Sequence, residues 1–260
     1  MSKVLVLGAG HSLITPGKRT PDGILEWKMN KGVVSRVIRS LNDYDVIIYR
    51  TDDPTGLTEV SLGDRVAKVN AISPDLYIEV HHNANTGVWG NWTGFEVYYM
   101  GKWQSLADRC TGSMERTMQI KPHGGNAVRT KDLAVLRDIS KDTPALLTEG
   151  GYMDSNNDSK YIRSDEGMQD YADGLVDFIV NELKLIKKEV IQTSNPTKEE
   201  VKIKESDKVS FKIPLWGLEA CKWAATNGID DGVFENLEEV RQVVRLYNFY
   251  KFLKLKGMVI

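Results

Sequence analysis

Cysteine, histidine and charge of a single sign are all scarce in this chain, and each shortage rules something out. The two cysteines, Cys110 and Cys221, stand far apart and match no metal-binding or redox spacing. A disulfide framework is therefore excluded, which leaves two reduced thiols in structural or incidental places. A formal net charge of -2 gives no reason to expect nucleic acid or an anionic membrane as a partner. No apolar run approaches the roughly 20 residues of a membrane span. The opening Met1-Ser2-Lys3 and the short block Val4 to Leu7 lack the length and cleavage pattern of a secretory signal. The block reads as a first strand, in a protein expected to stay in a bacterial cytoplasm until something releases it. Only four histidines occur in 260 residues, and two of them are neighbours.

What remains is an ordinary globular composition, 41% hydrophobic and 27% charged. The length suits one large domain, or one domain with a small appendage.

The adjacent histidines end the stretch Leu76-Tyr77-Ile78-Glu79-Val80-His81-His82-Asn83. Parity along a strand puts Ile78, Val80 and His82 on one face and Tyr77, Glu79 and His81 on the other. If Ile78 and Val80 face the core, His81 is the one released toward a cleft. Upstream, Val4 to Gly8 is a buried-type strand followed by Gly8-Ala9-Gly10-His11. That turn resembles a dinucleotide-binding glycine pattern, yet Leu13 stands where the third glycine belongs. Pro16 and Gly17 would also interrupt the helix, and Asp52 lies too far along for a ribose contact. What is left is a histidine on a glycine turn at a strand's end.

Glu26 opens a helix running to about Leu41, where its carboxylate suits the positive end of the helix dipole whether or not it has another role. Asp45 to Tyr49 is a second strand and Leu57 to Ile72 a second helix. Phe95 to Met100 is a strand after a loop carrying Trp89 and Trp92, which could stack on a sugar or peptide face or simply pack. Asn91-Trp92-Thr93 matches a glycosylation acceptor only by coincidence in a chain with no secretory signal. Trp103 to Met118 is helical, Leu133 to Arg137 a short strand, and His123 lies in a Pro-Gly-Gly loop. The last informative strand, Thr143 to Tyr152, carries Glu149 just before Gly150-Gly151. Met168 to Leu185 is an amphipathic closing helix.

Strand-type runs alternating with helices predict an α/β domain over residues 1–186, a mostly parallel open sheet flanked by helices. Right-handed crossovers bring His11, Glu26, His81 and Glu149 to one rim of that sheet. Each alone has an ordinary explanation; their convergence is the informative point. Two neutral imidazoles and a carboxylate match the ligands of a catalytic zinc with a position left open for water. A further carboxylate outside that set can move the proton that an amine needs in order to leave.

These residues resemble a family, the zinc-dependent N-acetylmuramoyl-L-alanine amidases of the amidase 3 type found in bacterial wall enzymes, sporulation enzymes and phage endolysins. The resemblance covers roughly residues 3 to 183. It rests on Gly10-His11, Glu26, Val80-His81-His82-Asn83-Ala84 and Pro144-Ala145-Leu146-Leu147-Thr148-Glu149-Gly150-Gly151-Tyr152. It implies one Zn2+ per chain held by His11, Glu26 and His81, with Glu149 catalytic. Asn83, matching the family's His-x-Asn pattern, is a candidate substrate contact together with Trp89 and Trp92. Ser12 and Glu79 depart from the usual glycine and serine, as in some endolysins, and leave the ligands intact.

Residues 187–208 are rich in Lys and Glu and read as a solvated linker. Residues 209–260 read as a small all-α domain of two helices. The second, Leu237 to Lys254, is apolar on most faces and must pack on something. Either it pairs with another copy, giving a homodimer, or it docks on the catalytic domain. The run Trp223-Ala224 to Gly228-Ile229-Asp230-Asp231-Gly232 is similar to a helical repeat ending some phage amidases, which implies attachment to a wall glycan. The expected function is hydrolysis of the amide between N-acetylmuramic acid and L-alanine in peptidoglycan by a phage or prophage lytic enzyme. The alternatives are a non-catalytic peptidoglycan-binding protein and a zinc peptidase acting on the stem peptide.

Overall fold

A computed structural model describes residues 2–188. The sheet is built from β1 (Lys3–Ala9), β2 (Val46–Arg50), β3 (Leu76–Asn83), β4 (Glu96–Tyr99), β5 (Val128–Thr130) and β6 (Ala145–Tyr152). Its strand order is β2-β1-β3-β6-β4-β5. β2, β1, β3 and β6 are mutually parallel, and β4 runs antiparallel to β6 with β5 parallel to β4. The sheet is thus mostly parallel, covered on both sides, and its central strands are buried on both faces as such strands require.

Alternation along the strands divides the core in two. Leu5, Leu7, Ile78, Val80 and Leu146 pack under α1 (Glu26–Ser40), α3 (Gln104–Thr117) and α6 (Asp165–Leu183). Val6, Tyr77, Ala145 and Leu147 form the opposite core with Val69 of α2 (Leu62–Ile72) and with Val135 and Leu136 of α4 (Ala134–Arg137). A short helix, α5 (Ser159–Ile162), leads into α6. Among the described residues no helix is long and apolar enough to cross a membrane.

The structure corrects the sequence reading in several places. Leu133 to Arg137 is not a strand; Ala134–Arg137 form α4, with Val135 and Leu136 buried. An apolar run of four has too little periodicity to separate the two states. The second helix begins at Leu62, not Leu57, because the Ser61 side chain caps it by accepting from the Asp64 amide. β5 went unseen: three residues, Val-Arg-Thr, are too few to declare a strand.

At the far end, Lys188 N donates to Asp43 O at 2.7 Å and Tyr44 bridges to Lys187, so backbone pairing continues past residue 186. The rest of the expected linker, the helical segment 209–260, its wall-glycan and homodimer roles, and Cys221 all lie outside the described residues. Cys110 is a free, buried thiol on the core-facing side of α3.

Candidate active site

β1 ends at Ala9, and two residues later His11 takes a left-handed backbone conformation, φ +65°. Gly10 between them is needed for space: a Cβ there would lie 2.1 Å from Cε1 of His81. The imidazole of His81 therefore packs directly on the Gly10 backbone, which is tied to β3 by Gly10 N donating to Val80 O at 2.9 Å. The glycine turn at the end of β1 is thus a seat for the second histidine.

Glu26, 2% exposed in the first turn of α1, reaches both imidazoles. Its Oε2 lies 3.1 Å from His11 Nε2 and its Oε1 lies 2.9 Å from His81 Nδ1. The two rings meet edge to face with centroids 4.9 Å apart. One ligand atom from each of His11, Glu26 and His81 falls within 4.8 Å of the others. Among the described residues this is the one group of three such side chains that could hold a metal ion. Two nitrogens and one carboxylate, with a buried acid at the centre and no arginine or lysine paired to it, fit a divalent cation of the zinc type.

Glu149 sits beside His81, because β3 and β6 are parallel with His81 and Glu149 in register. Its Oε2 is buried and has no hydrogen-bond partner. A buried polar atom left unpaired is costly, and such atoms collect where something else is to be engaged. The next strand over places Glu96 across from Glu149. Glu96 is fully occupied: Asn83 Nδ2 donates to Oε2 at 2.7 Å, Tyr98 OH to the same oxygen at 3.0 Å, and Arg129 Nε to Oε1 at 3.1 Å.

The electrostatics follow from this crowding. Burial opposes a charge on Glu26, but hydrogen bonds from His11 and His81 outweigh it and hold the carboxyl well below the usual range. Burial likewise disfavours the His81 cation, and the Glu26 carboxylate more than offsets it, so the imidazole rises to about 9. Burial lifts Glu149 to about 8, with His81 working against that rise and Glu26 and Glu96 adding to it. Protons thus balance the cluster in the metal-free protein. A divalent cation would take over that balance and release the protons, as binding to deprotonated ligands demands.

His82 does a different job from its neighbour. It is buried against Tyr171, ring centroids 5.6 Å apart, and burial lowers it to about 4, so it is neutral at physiological pH. Its Nδ1 lies 2.8 Å from Asn30 Oδ1. Asn30 spends its own amide on Gly10 O and Glu26 Oε1, both at 3.1 Å, which assigns the proton in that contact to His82. Asn30 is a residue the sequence reading missed. The signal was there: an asparagine one turn after Glu26 in a helix interior is out of place unless its amide is used.

Asn83, Trp89 and Trp92 lie at the end of β3 and in the loop after it. Asn83 is turned onto Glu96, and Trp92 is fastened by Nε1 donating to Asp154 Oδ1 at 2.7 Å. Trp89 remains 43% exposed beside Val88 at 64%. Asp154, also unforeseen, organises the loop: its carboxylate accepts from the amides of Asn85, Thr86 and Gly87 at 2.7–3.1 Å. Replacing Asp154 with alanine would strand those donors and is expected to cost about 3 kcal/mol in denaturant unfolding. A loss under ~1 kcal/mol would contradict this account of the loop. His123 turns its Nδ1 to Thr93 O at 2.7 Å, a contact within the protein.

Residues 5–181 match the family described as N-acetylmuramoyl-L-alanine amidase, Amidase_3. The endolysin of Bacillus phage SPP1 is 32% identical over 197 residues, covering 72% of this chain and 69% of that protein. The amidase CwlM of Bacillus licheniformis is 32% identical over 138 residues, 52% of this chain and 50% of its own length. The catalytic domain of CwlV from Bacillus (Paenibacillus) polymyxa shares the fold, with a TM-score of 0.63 at 20% identity, over 70% of this chain and 98% of that domain. With the match running across more than half of its length, the chain belongs to the Amidase_3 family of N-acetylmuramoyl-L-alanine amidases.

Proposed function

We propose that this amidase is zinc-dependent and acts as a lytic enzyme of the phage type. It would cut the amide between the lactyl group of N-acetylmuramic acid and the L-alanine of peptidoglycan. One ion would be held by His11, Glu26 and His81. The observation that carries the reading is the meeting of those three ligand atoms within 4.8 Å, next to a buried glutamate with an unused oxygen. Bound there, zinc would supply acidity to water and polarise a carbonyl at neutral pH.

The chain's own groups then have separate tasks. Glu149 Oε2, unpaired and buried, would take a proton from the attacking water and deliver it to the departing nitrogen. Burial, which favours the protonated form of this carboxyl, suits a group that must hold a proton before passing it on. His82 and Asn30 keep Glu26 in place without contributing charge of their own. The lytic, phage-type role is supported by likeness to the SPP1 endolysin. Storage in the host cytoplasm until release to the wall goes with that role.

Mass spectrometry of fragments from digested purified wall tests the bond assignment. Expected products are glycan strands with unsubstituted muramic acid and stem peptides with a new L-alanine amino terminus. Fragments cut inside the stem peptide, with muramic acid still substituted, would favour a zinc peptidase instead. Wall that is bound and left intact would leave a binding protein.

A further inference from the structure

The metal-site reading leaves one buried feature unused. Arg65 of α2 and Glu79 of β3 form an ion pair at 2.7 Å with side chains only 2% and 1% exposed. Burying two charges is expensive, and such a pair is weak evidence of a gain in stability over an apolar one. Its contacts suggest another purpose. Arg65 Nη1 donates to Ala9 O at 2.9 Å as well as to Glu79, and Nη2 donates to His11 O at 3.2 Å. Nε donates to Val60 O at 3.1 Å. One rigid guanidinium fork thus grips the backbone before His11 and at His11 itself.

Glu79 fixes that fork from below. Its Oε2 accepts from Tyr77 OH at 2.6 Å and Thr51 Oγ1 at 3.2 Å. The carboxylate also fills the space beside Gly8, where a Cβ would lie 1.7 Å from Oε2. Every link in the chain Thr51 and Tyr77 to Glu79 to Arg65 to the His11 carbonyl is a hydrogen bond between buried or part-buried groups. His11, meanwhile, is a non-glycine residue at positive φ, a conformation that surrounding contacts must hold. Ser12 Oγ adds a second restraint on the same turn, donating to Glu59 Oε2 at 2.7 Å.

We propose that Arg65 and Glu79 are positioning residues for the metal site, a buried clamp that sets the backbone of His11 and thereby aims its imidazole at Glu26 and His81. The proposal rests on the metal reading of those three residues. Groups that orient a metal ligand without touching the ion commonly change metal affinity by about 10- to 100-fold when altered. Arg65→Lys keeps the charge that faces Glu79 and loses the fork, since a single ammonium cannot reach the carbonyls of Ala9, Val60 and His11 together. Glu79→Gln keeps the shape and leaves the guanidinium without its counter-charge.

The test uses the full chain and measures zinc affinity by competition with a chromophoric chelator, beside the visible spectrum of the Co2+-loaded protein. Both variants are expected to fold cooperatively and to bind Zn2+ about 10-fold more weakly or worse, with altered cobalt bands. Leu175→Ala, an ordinary core truncation far along α6, should lower the melting temperature and leave both metal readouts as in the parent. Variants within about twofold of the parent, with an unchanged cobalt spectrum, would overturn the clamp while the metal reading stood. Loss of folding in both variants would also overturn it, since the pair would then serve the fold alone. A parent that takes up no zinc would remove the metal reading and the clamp together.

Discussion

Glu149→Gln is expected to bind zinc like the parent and to lose about a thousandfold in wall hydrolysis, the scale of a proton-transfer group. The amide of glutamine keeps the volume and polarity of the site and removes only the ability to carry a proton. None of the three proposed ligands is altered, so metal analysis should still give one zinc per chain. Lysis at parental rate by this variant would end the case for Glu149 as acid and base. The same substitution carries a second, opposite effect on stability. In the metal-free parent, Glu149 holds its proton up to about 8 while the unfolded carboxyl releases it near 4.5. Between those values the folded state binds more protons than the unfolded one, so this residue erodes stability as pH rises through that window. Metal-free Glu149→Gln should therefore gain on the parent from pH 5 to 8 and hold a constant lead above that. Denaturant midpoints of the two proteins across this range measure it, and parallel curves would contradict the burial of a carboxylate proton.

His81→Ala is expected to abolish zinc uptake and activity together. It removes one of the three proposed ligands, and it also leaves the Gly10 seat empty and takes from the buried Glu26 one of its two imidazole partners. Zinc held by these three side chains would bind the folded form, so saturating it would stabilise by mass action, about 4 kcal/mol at a thousandfold excess over Kd. The parent should melt higher with added zinc and lower with a chelator, and lysis should follow the metal in both directions. The variant should show neither response. A His81→Ala protein that still carries one zinc, or a parent whose lysis survives exhaustive chelation, would refute the assigned ligand set.

Why some of this could be read in the sequence and some could not comes down to reach. Strand-end residues announce themselves: His11, His81 and Glu149 each follow an apolar run, and parallel strands joined by right-handed crossovers must end on one rim. Strand parity separated His81 from His82 because the face of Ile78, Val80 and His82 stays in the core to the strand's end, while the face of Tyr77 and Glu79, buried further back, opens at His81. Asn30 shows only as an amide out of place inside a helix, and Arg65, Glu96 and Asp154 carry no mark at all. Asp154 meets the amides of residues nearly 70 positions away, and Arg65 looks like any charged residue on an amphipathic helix until Glu79 is seen beneath it. Long-range partners of this kind are fixed by packing, which local pattern does not encode. Short elements failed for a related reason: the neighbours of α4 and β5 decide their state, and three or four residues cannot declare it alone.

The pairing of β3 with β6 has one further consequence. His81 and Glu149 are spaced by main-chain bonds between central strands, so softening of the surface loops leaves their separation untouched. Those bonds break only when the sheet itself opens. For these two residues there is no partial failure: on heating, their alignment and the whole domain vanish in a single event.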